Sequence, residues 1–300
     1  MRIAVLGPLE VVAKGVTIAA LARRPAEILA SLCLGHGEVV STDRLIDVLW
    51  GEDPPRGARN AVQVHVAALR RAIGVHRGAI ESVRGGYRLA EEVWTDVAAF
   101  DELWVSANVS EAVRDRAPAV EGALSLWRGD PVADLVAVGF DHPRIVELQE
   151  RYLSLVELHA DLELRAGRPQ QVIASLGRLV LEHPYREGMA IRLGTALYQT
   201  GRQTEALRTV QHIERRLRRD LGVEPTAAMT ALERAILRHD PNLDTIGGDS
   251  ARLSAHGSVI ALVVARFDAP FAVASCGSRG ARERRRTSGR GDRNLRCRRV

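Results

Sequence analysis

The chain has 300 residues, 46% of them apolar and 26% charged, with a formal net charge of +5. That is room for two or three globular domains, and the apolar share is ordinary for a folded protein. No run of about 18 apolar residues offers a transmembrane helix, and "MRIAVLGPLEVVAKG" lacks the apolar core and cleavage site of a secretion signal.

A cytoplasmic protein is therefore expected. Cys33, Cys276 and Cys297 are too far apart in sequence for a disulfide framework or a zinc site. The charge is unevenly spread. Residues 1–90 hold 12 basic and 8 acidic side chains, residues 91–278 hold 20 and 27, and residues 279–300 hold 10 arginines against Glu283 and Asp292. Basic segments can neutralise phosphates, but the front is only mildly basic. Lys14 is the sole lysine beside 41 arginines, so arginine abundance reads as codon composition and carries little weight.

Residues 2–20 alternate short β-type runs with turns at Gly7-Pro8 and Lys14-Gly15, which predicts a small antiparallel sheet. Pro25 suits a first helical position. Ile28, Leu29, Leu32 and Cys33 follow at helical spacing until Gly35 and Gly37 stop the helix. Ser41 is the expected N-cap of "TDRLIDVLW", with Asp43 near its positive end. Gly51 and Pro54-Pro55 end this second helix.

A third helix is predicted within "GEDPPRGARNAVQVHVAALRRAIG". At about 100° per residue, Val62, Val66, Leu69 and Ile73 share one arc. Arg59, Asn60, Gln63, Ala67, Arg70 and Arg71 occupy the other side. A polar outer face alone is that of any solvated amphipathic helix. Here, however, the outer face has no carboxylate to alternate with its cations. After it comes "AIESVRGGYRLA", with Gly85-Gly86 between two β-type runs, which reads as a hairpin carrying Arg84 and Arg88. Strands, three helices and a terminal hairpin make a winged helix-turn-helix.

Residues 95–239 read as seven helices, from "DVAAFDELWVSA" to "TAAMTALERAIL", with short breaks at Gly or Pro. Within them "LELRAGRPQQVI" and "ALYQTGRQTEAL" align with Gly167 on Gly201, 34 residues apart. That is the tetratricopeptide (TPR) period. Two repeats are too few for an open solenoid, so flanking helices must complete the core. Gly201 is expected in a tight turn where a side chain is unwelcome, and Ala206 where two helices approach closely. The concave groove of such a domain is a usual peptide-binding surface. His142, His159, His183 and His212 show no metal-ligand spacing with supporting carboxylates, so no metal is expected. Trp104, Trp127, Tyr152 and Tyr198 read as packing residues. The expected fold class is thus mainly α, with an N-terminal α+β unit over residues 1–92 and an all-α TPR-like unit over 95–241.

After Pro241 the character changes. "NLDTIGGDSARLSAHGS" reads as a linker and "VIALVVARF" as a lone apolar strand. From Ser275 the chain is rich in Arg, Gly and Ser without periodicity, which predicts disorder. The alternatives are a non-specific nucleic-acid tail and the remnant of a disrupted third domain.

Residues 2–90 resemble the OmpR/PhoB-type DNA-binding domain, in particular that of the Streptomyces antibiotic regulatory proteins. "VVSTDRLIDVLWGEDPPRGARNAVQVHVAALRRAIG" and "IESVRGGYRLA" carry this likeness. The family often has a residue between the two wing glycines, which are adjacent here. "LSLWRGDPVADL" through "RRDLGVEPTAAMTALERAILRHDP" resembles the bacterial transcriptional activation domain of the same regulators. The resemblance covers about residues 2–241. It implies a DNA-binding transcriptional activator with no cofactor. Arg59, Asn60, Gln63, Arg70 and Arg71 on the third helix and Arg84 in the wing would meet double-stranded promoter DNA. Asp53 and Arg56 stand where this fold type contacts RNA polymerase, and a homodimer on promoter repeats is the implied assembly. No Ser/His/Asp set, carboxylate pair or phosphate loop has usable spacing, so an enzyme is not expected. The competing class is an interaction scaffold whose winged helix no longer binds DNA.

Overall fold

A computed structural model describes residues 1–243 other than Lys14, Ala19, Ala20, His36 and 110–112, and the backbone alone of 113–115. The expectations for the linker, the lone strand and the basic tail lie outside the described residues.

Strands β1 (Arg2–Ala4) and β2 (Glu10–Ala13) pair antiparallel with Ile3 opposite Val11, and both side chains are buried. The short β3 (Val16–Thr17) extends this sheet. Helix α1 (Arg23–Leu34) takes Pro25 inside its first turn rather than at its first position. Its Ile28, Leu29 and Leu32 are fully buried. A two-residue strand β4 (Val40–Ser41) then leads into α2 (Thr42–Trp50). The Ser41 hydroxyl accepts from the Arg44 N–H at 3.1 Å, which is the expected cap. Helix α3 (Ala58–Ala72) runs on through a 3-10 turn (Gly74–Ala79) to the hairpin β5 (Ile80–Val83) and β6 (Gly86–Leu89). Strand β6 is central in a second sheet of order β4-β6-β5.

Among the described residues eight α-helices follow, and seven match the predicted segments. They are α4 (Asp96–Val109), α5 (Val113–Ser125), the unpredicted single turn α6 (Ala133–Val136), α7 (Pro143–Arg165), α8 (Pro169–Glu182), α9 (Glu187–Gln199), α10 (Gln203–Arg216) and α11 (Ala227–Arg238). No helix among the described residues is long and apolar enough to cross a membrane.

Strand β7 (Trp94–Thr95) is the element that changes the architecture. It pairs parallel with β1, Arg2 opposite Trp94 and Ile3 opposite Thr95, and completes a four-stranded sheet of order β3-β2-β1-β7. The sequence puts the junction between the two units here, yet the chain crosses it inside a sheet. The following residue, Asp96, is buried, and its carboxylate accepts the Val5 and Leu6 N–H groups, each at 2.8 Å. Burial pushes this carboxyl group upward in pKa, and the two amides and Arg128 pull it back. From the far side, Arg128 N–H donates to Leu6 O at 2.8 Å and Val132 N–H to Val5 O at 2.9 Å. Val132 holds a left-handed φ of 45° to do so, a costly conformation for a β-branched residue.

The apolar packing follows the same lines. One core runs continuously from Ile3 through Val62, Leu69 and Phe100 to Leu148 and Leu162. A second runs from Leu153 to Leu243. Helix α7 belongs to both: Ile145, Leu148 and Leu155 face the first, Leu153, Val156, Ala160 and Leu164 the second.

Candidate nucleic-acid interface

Helix α3 is held from beneath. Val62, Val66, Leu69 and Ile73 are 0–3% exposed and pack in the first core with α1 and α2. This is the predicted apolar stripe. Burying one such side chain contributes about 1.5–3 kcal/mol, which fixes the rotation of α3 and so decides which residues face out. Arg59, Asn60, Gln63, Ala67 and Arg71 are all exposed, and so is Val64 at 57%. Among the described residues no side-chain hydrogen bond or ion pair engages Asn60, Gln63 or Arg71. The carboxylate that pairs with this face comes from another helix. Asp43 at the start of α2 accepts from Arg59 Nη2 at 2.6 Å, with both side chains about two-thirds exposed. An exposed pair of this kind is worth little and opens readily.

Arg70 behaves differently. Its Nη2 donates to Ile80 O and to the Ser82 hydroxyl, both at 2.8 Å, and the guanidinium lies 6.0 Å over the Tyr87 ring. The structure thus takes Arg70 out of the outward-facing set and turns it onto the hairpin.

The wing tip is a two-residue turn, Arg84-Gly85, closed by the Val83–Gly86 pair. The adjacent glycines have separate reasons. Gly85 adopts φ +91°, a left-handed value. At Gly86 a Cβ would stand 2.2 Å from Val40 O, so only glycine lets β4 lie against β6. Arg84 is exposed at the tip, whereas Arg88 is engaged with Glu81 at 2.7 Å. The loop 51–57 between α2 and α3 is exposed throughout, Asp53 and Arg56 included. Its turns are closed by Asp53 N–H on Trp50 O at 3.3 Å and Ala58 N–H on Pro55 O at 3.0 Å.

One expectation about histidines needs correction. His159 does sit with two carboxylates, Glu121 and Glu163, their ligand atoms within 4.8 Å of one another. Both Glu163 oxygens are taken by Arg168, at 2.6 and 2.7 Å, and that guanidinium occupies the charge role a cation would fill. Sequence spacing missed the third member because Glu121 comes from α5.

A helix of amides and arginines beside a hairpin with an arginine at its tip defines a winged helix-turn-helix of the DNA-binding class. Residues 17–89 match the family described as "Transcriptional regulatory protein, C terminal", and residues 95–237 match "Bacterial transcriptional activator domain". The chain is 34% identical over 260 residues to the regulatory protein DnrI of Streptomyces peucetius, covering 82% of this chain and 96% of DnrI. It is 33% identical over 256 residues to the regulatory protein AfsR of Streptomyces coelicolor, covering 84% of this chain but only 26% of AfsR. The solved structure of Mycobacterium tuberculosis EmbR in complex with a low-affinity phosphopeptide superposes with a TM-score of 0.70 at 30% identity, covering 81% of this chain and 68% of that one. The chain belongs to the Streptomyces antibiotic regulatory protein family and is a DNA-binding transcriptional regulator.

Proposed function

We propose that the chain activates transcription by laying α3 in the major groove of a promoter and recruiting RNA polymerase. Asn60 and Gln63 are the amide readers, for which adenine is the natural bidentate partner. Arg71 contacts phosphate or guanine, and Arg59 joins it once released from Asp43. Arg84 reaches the adjacent minor groove or backbone from the wing. Asp53 and Arg56 form the polymerase contact. Two copies on promoter repeats complete the assembly, in the cytoplasm at the nucleoid. The observation that carries the reading is the free outer face of α3: exposed Asn60, Gln63 and Arg71, unpaired among the described residues, above a buried stripe that fixes their direction.

Binding of the full chain to its own promoter duplex and to a scrambled duplex, at several salt concentrations, tests this. Gln63→Ala is expected to lose about 1–3 kcal/mol at one base pair and relax preference there. Arg84→Ala is expected to weaken both duplexes evenly and lower the salt slope by about one. If neither variant changes affinity while circular dichroism reports folded protein, α3 only packs. The competing scaffold reading then stands.

A further inference from the structure

The hairpin β5–β6 is a thin lever. Only β6 pairs with the body of the molecule, through β4, and β5 is its outer strand. In this register Ala90 N–H donates to Ala79 O at 2.9 Å. Hydrogen-bonded and non-bonded pairs alternate along an antiparallel ladder. The next pair, Ile80 with Leu89, is therefore non-bonded, and the Ile80 carbonyl points outward along the free edge of β5. An unpaired strand edge needs a partner or water. Here it meets Arg70, whose Nε and Nη2 both reach Ile80 O, at 3.3 and 2.8 Å. The same Nη2 takes the Ser82 hydroxyl, two residues along the same strand face. Arg70 stands in the last turn of α3, and its neighbour Leu69 is fully buried. Its root is therefore fixed to the reading helix and its tip to the wing.

From this geometry we infer that Arg70 is a positioning residue rather than a DNA contact. It sets the height and angle of the wing against the reading helix, so that Arg84 and the Asn60–Gln63 face engage one duplex together. A planar fork suits this task. A guanidinium can hold a carbonyl and a hydroxyl at once in fixed geometry, whereas a lysine ammonium on a flexible stem cannot fix the same angle. The inference rests on the DNA-reading role of α3 proposed above and assigns one of its arginines a different duty.

The test compares full-length wild type with Arg70→Ala, Arg70→Lys and Arg84→Ala. Two measurements are made: affinity for a duplex selected by the wild type from a random pool, across salt, and amide hydrogen exchange in the free protein. Arg84→Ala is expected to lower the salt slope by about one, and Arg70→Ala to weaken binding and lower the slope by no more than that, through the misplaced Arg84. Combining Arg70→Ala with Arg84→Ala should cost less than the product of the separate losses and lower the slope no further than Arg84→Ala alone, since a loosened wing no longer delivers Arg84. Arg70→Lys should lose nearly as much as Arg70→Ala. Exchange at the ladder-bonded amides of β5, Glu81 and Val83, should quicken in both Arg70 variants and not in Arg71→Ala. A double variant whose slope falls by a further unit below that of Arg84→Ala, full recovery with lysine, or unchanged wing exchange would each overturn the inference. Should Arg70→Ala unfold, Arg70→Lys and the exchange data decide. Should the wild type bind no duplex at all, the DNA reading fails, and wing exchange still tests the tether.

Discussion

The two cores are built on opposite plans. The first joins residues distant in sequence: Asp96 to Val5 and Leu6, Arg128 to Leu6, Val132 to Val5. The second stacks each helix on its sequence neighbours, α8 on α7, α9 on α8, α10 on α9. Its helix ends repeat one device. At Gly167 and Gly201, φ is +69° and +76°. In both turns the following arginine N–H reaches back five residues, Arg168 to Glu163 O and Arg202 to Leu197 O, each at 2.9 Å. The difference teaches where a boundary is real. The winged helix ends in sequence near residue 92, but in packing it shares a core with α4, α5 and one face of α7.

The largest effect expected from this contrast is on fragments. A chain of residues 1–92 lacks β7, Asp96 and Phe100, and leaves Val5 and Leu6 amides without their buried acceptor. It should show no cooperative urea transition, while a fragment of residues 143–243 should keep one, because its contacts are local. A native-like melt of 1–92 alone would break the comparison and restore the boundary read from sequence.

Next comes the polar clasp of the second core. Arg192, 6% exposed on α9, grips both Asp161 oxygens at 2.8 and 2.7 Å and Glu157 at 2.9 Å, both on α7. Removing Arg192 takes both of its contacts from Asp161 and leaves Glu157 with Arg186, at 3.1 Å. Arg192→Ala should therefore cost about 3–5 kcal/mol in denaturant melts, and Arg192→Met clearly less, if packing replaces the stem. Equal losses would mean the guanidinium hydrogen bonds contribute something the carbon chain cannot supply.

A smaller, pH-dependent effect sits where the cores meet. His142 caps α7, and its Nδ1 accepts the Arg144 N–H at 3.2 Å, which requires a neutral ring. Burial lowers its pKa from 6.5 to about 4, and Arg44 of α2 and Arg144 add to that. A lowered folded value means that protonation favours the unfolded chain. The cap's contribution is therefore complete above pH 6.5 and drains away as the pH falls toward 4. His142→Asn keeps an acceptor that does not titrate. Its melting temperature should fall less than that of the wild type between those two pH values. Parallel pH curves for the two proteins would assign the acid loss to other groups.

How much of this was legible in sequence follows from the same contrast. Helical periodicity located seven of the eight helices after β7 and the buried stripe of α3, because packing repeats every turn along one element. The strands β4 and β7, two residues each, carry no period. They exist only because β6 and β1 lie beside them. In the interface, residue type and helix face together pointed to Asn60, Gln63 and Arg71. They could not separate Arg70 from Arg71, since neighbours about 100° apart on one polar face look alike until the hairpin is placed. Gly201 was read as a tight-turn position where a side chain is unwelcome, which the structure bears out, though not through crowding. Nothing lies within 4 Å of its Cβ position, and it is the left-handed φ that calls for glycine.

That distinction yields the smallest prediction. Helix α11 ends by the same device, with Asp240 N–H on Ala235 O at 3.0 Å, but its left-handed residue is His239 at φ 52°. An L residue held there carries a steric cost that glycine escapes. The imidazole recovers little of it: its Nε2 lies 3.4 Å from the Gln203 amide nitrogen, and the ring is exposed. Glycine also loses more freedom on folding, which offsets part of the gain. His239→Gly should therefore stabilise the second core by about 0.5–1 kcal/mol. The reciprocal Gly201→Ala should destabilise it by a similar amount, since open space around the Cβ leaves only the φ cost. Urea melts of the two variants read both signs directly. If His239→Gly were destabilising, the His239–Gln203 contact would be holding the last turn in place. The third helix end would then differ in kind from the two it copies in geometry.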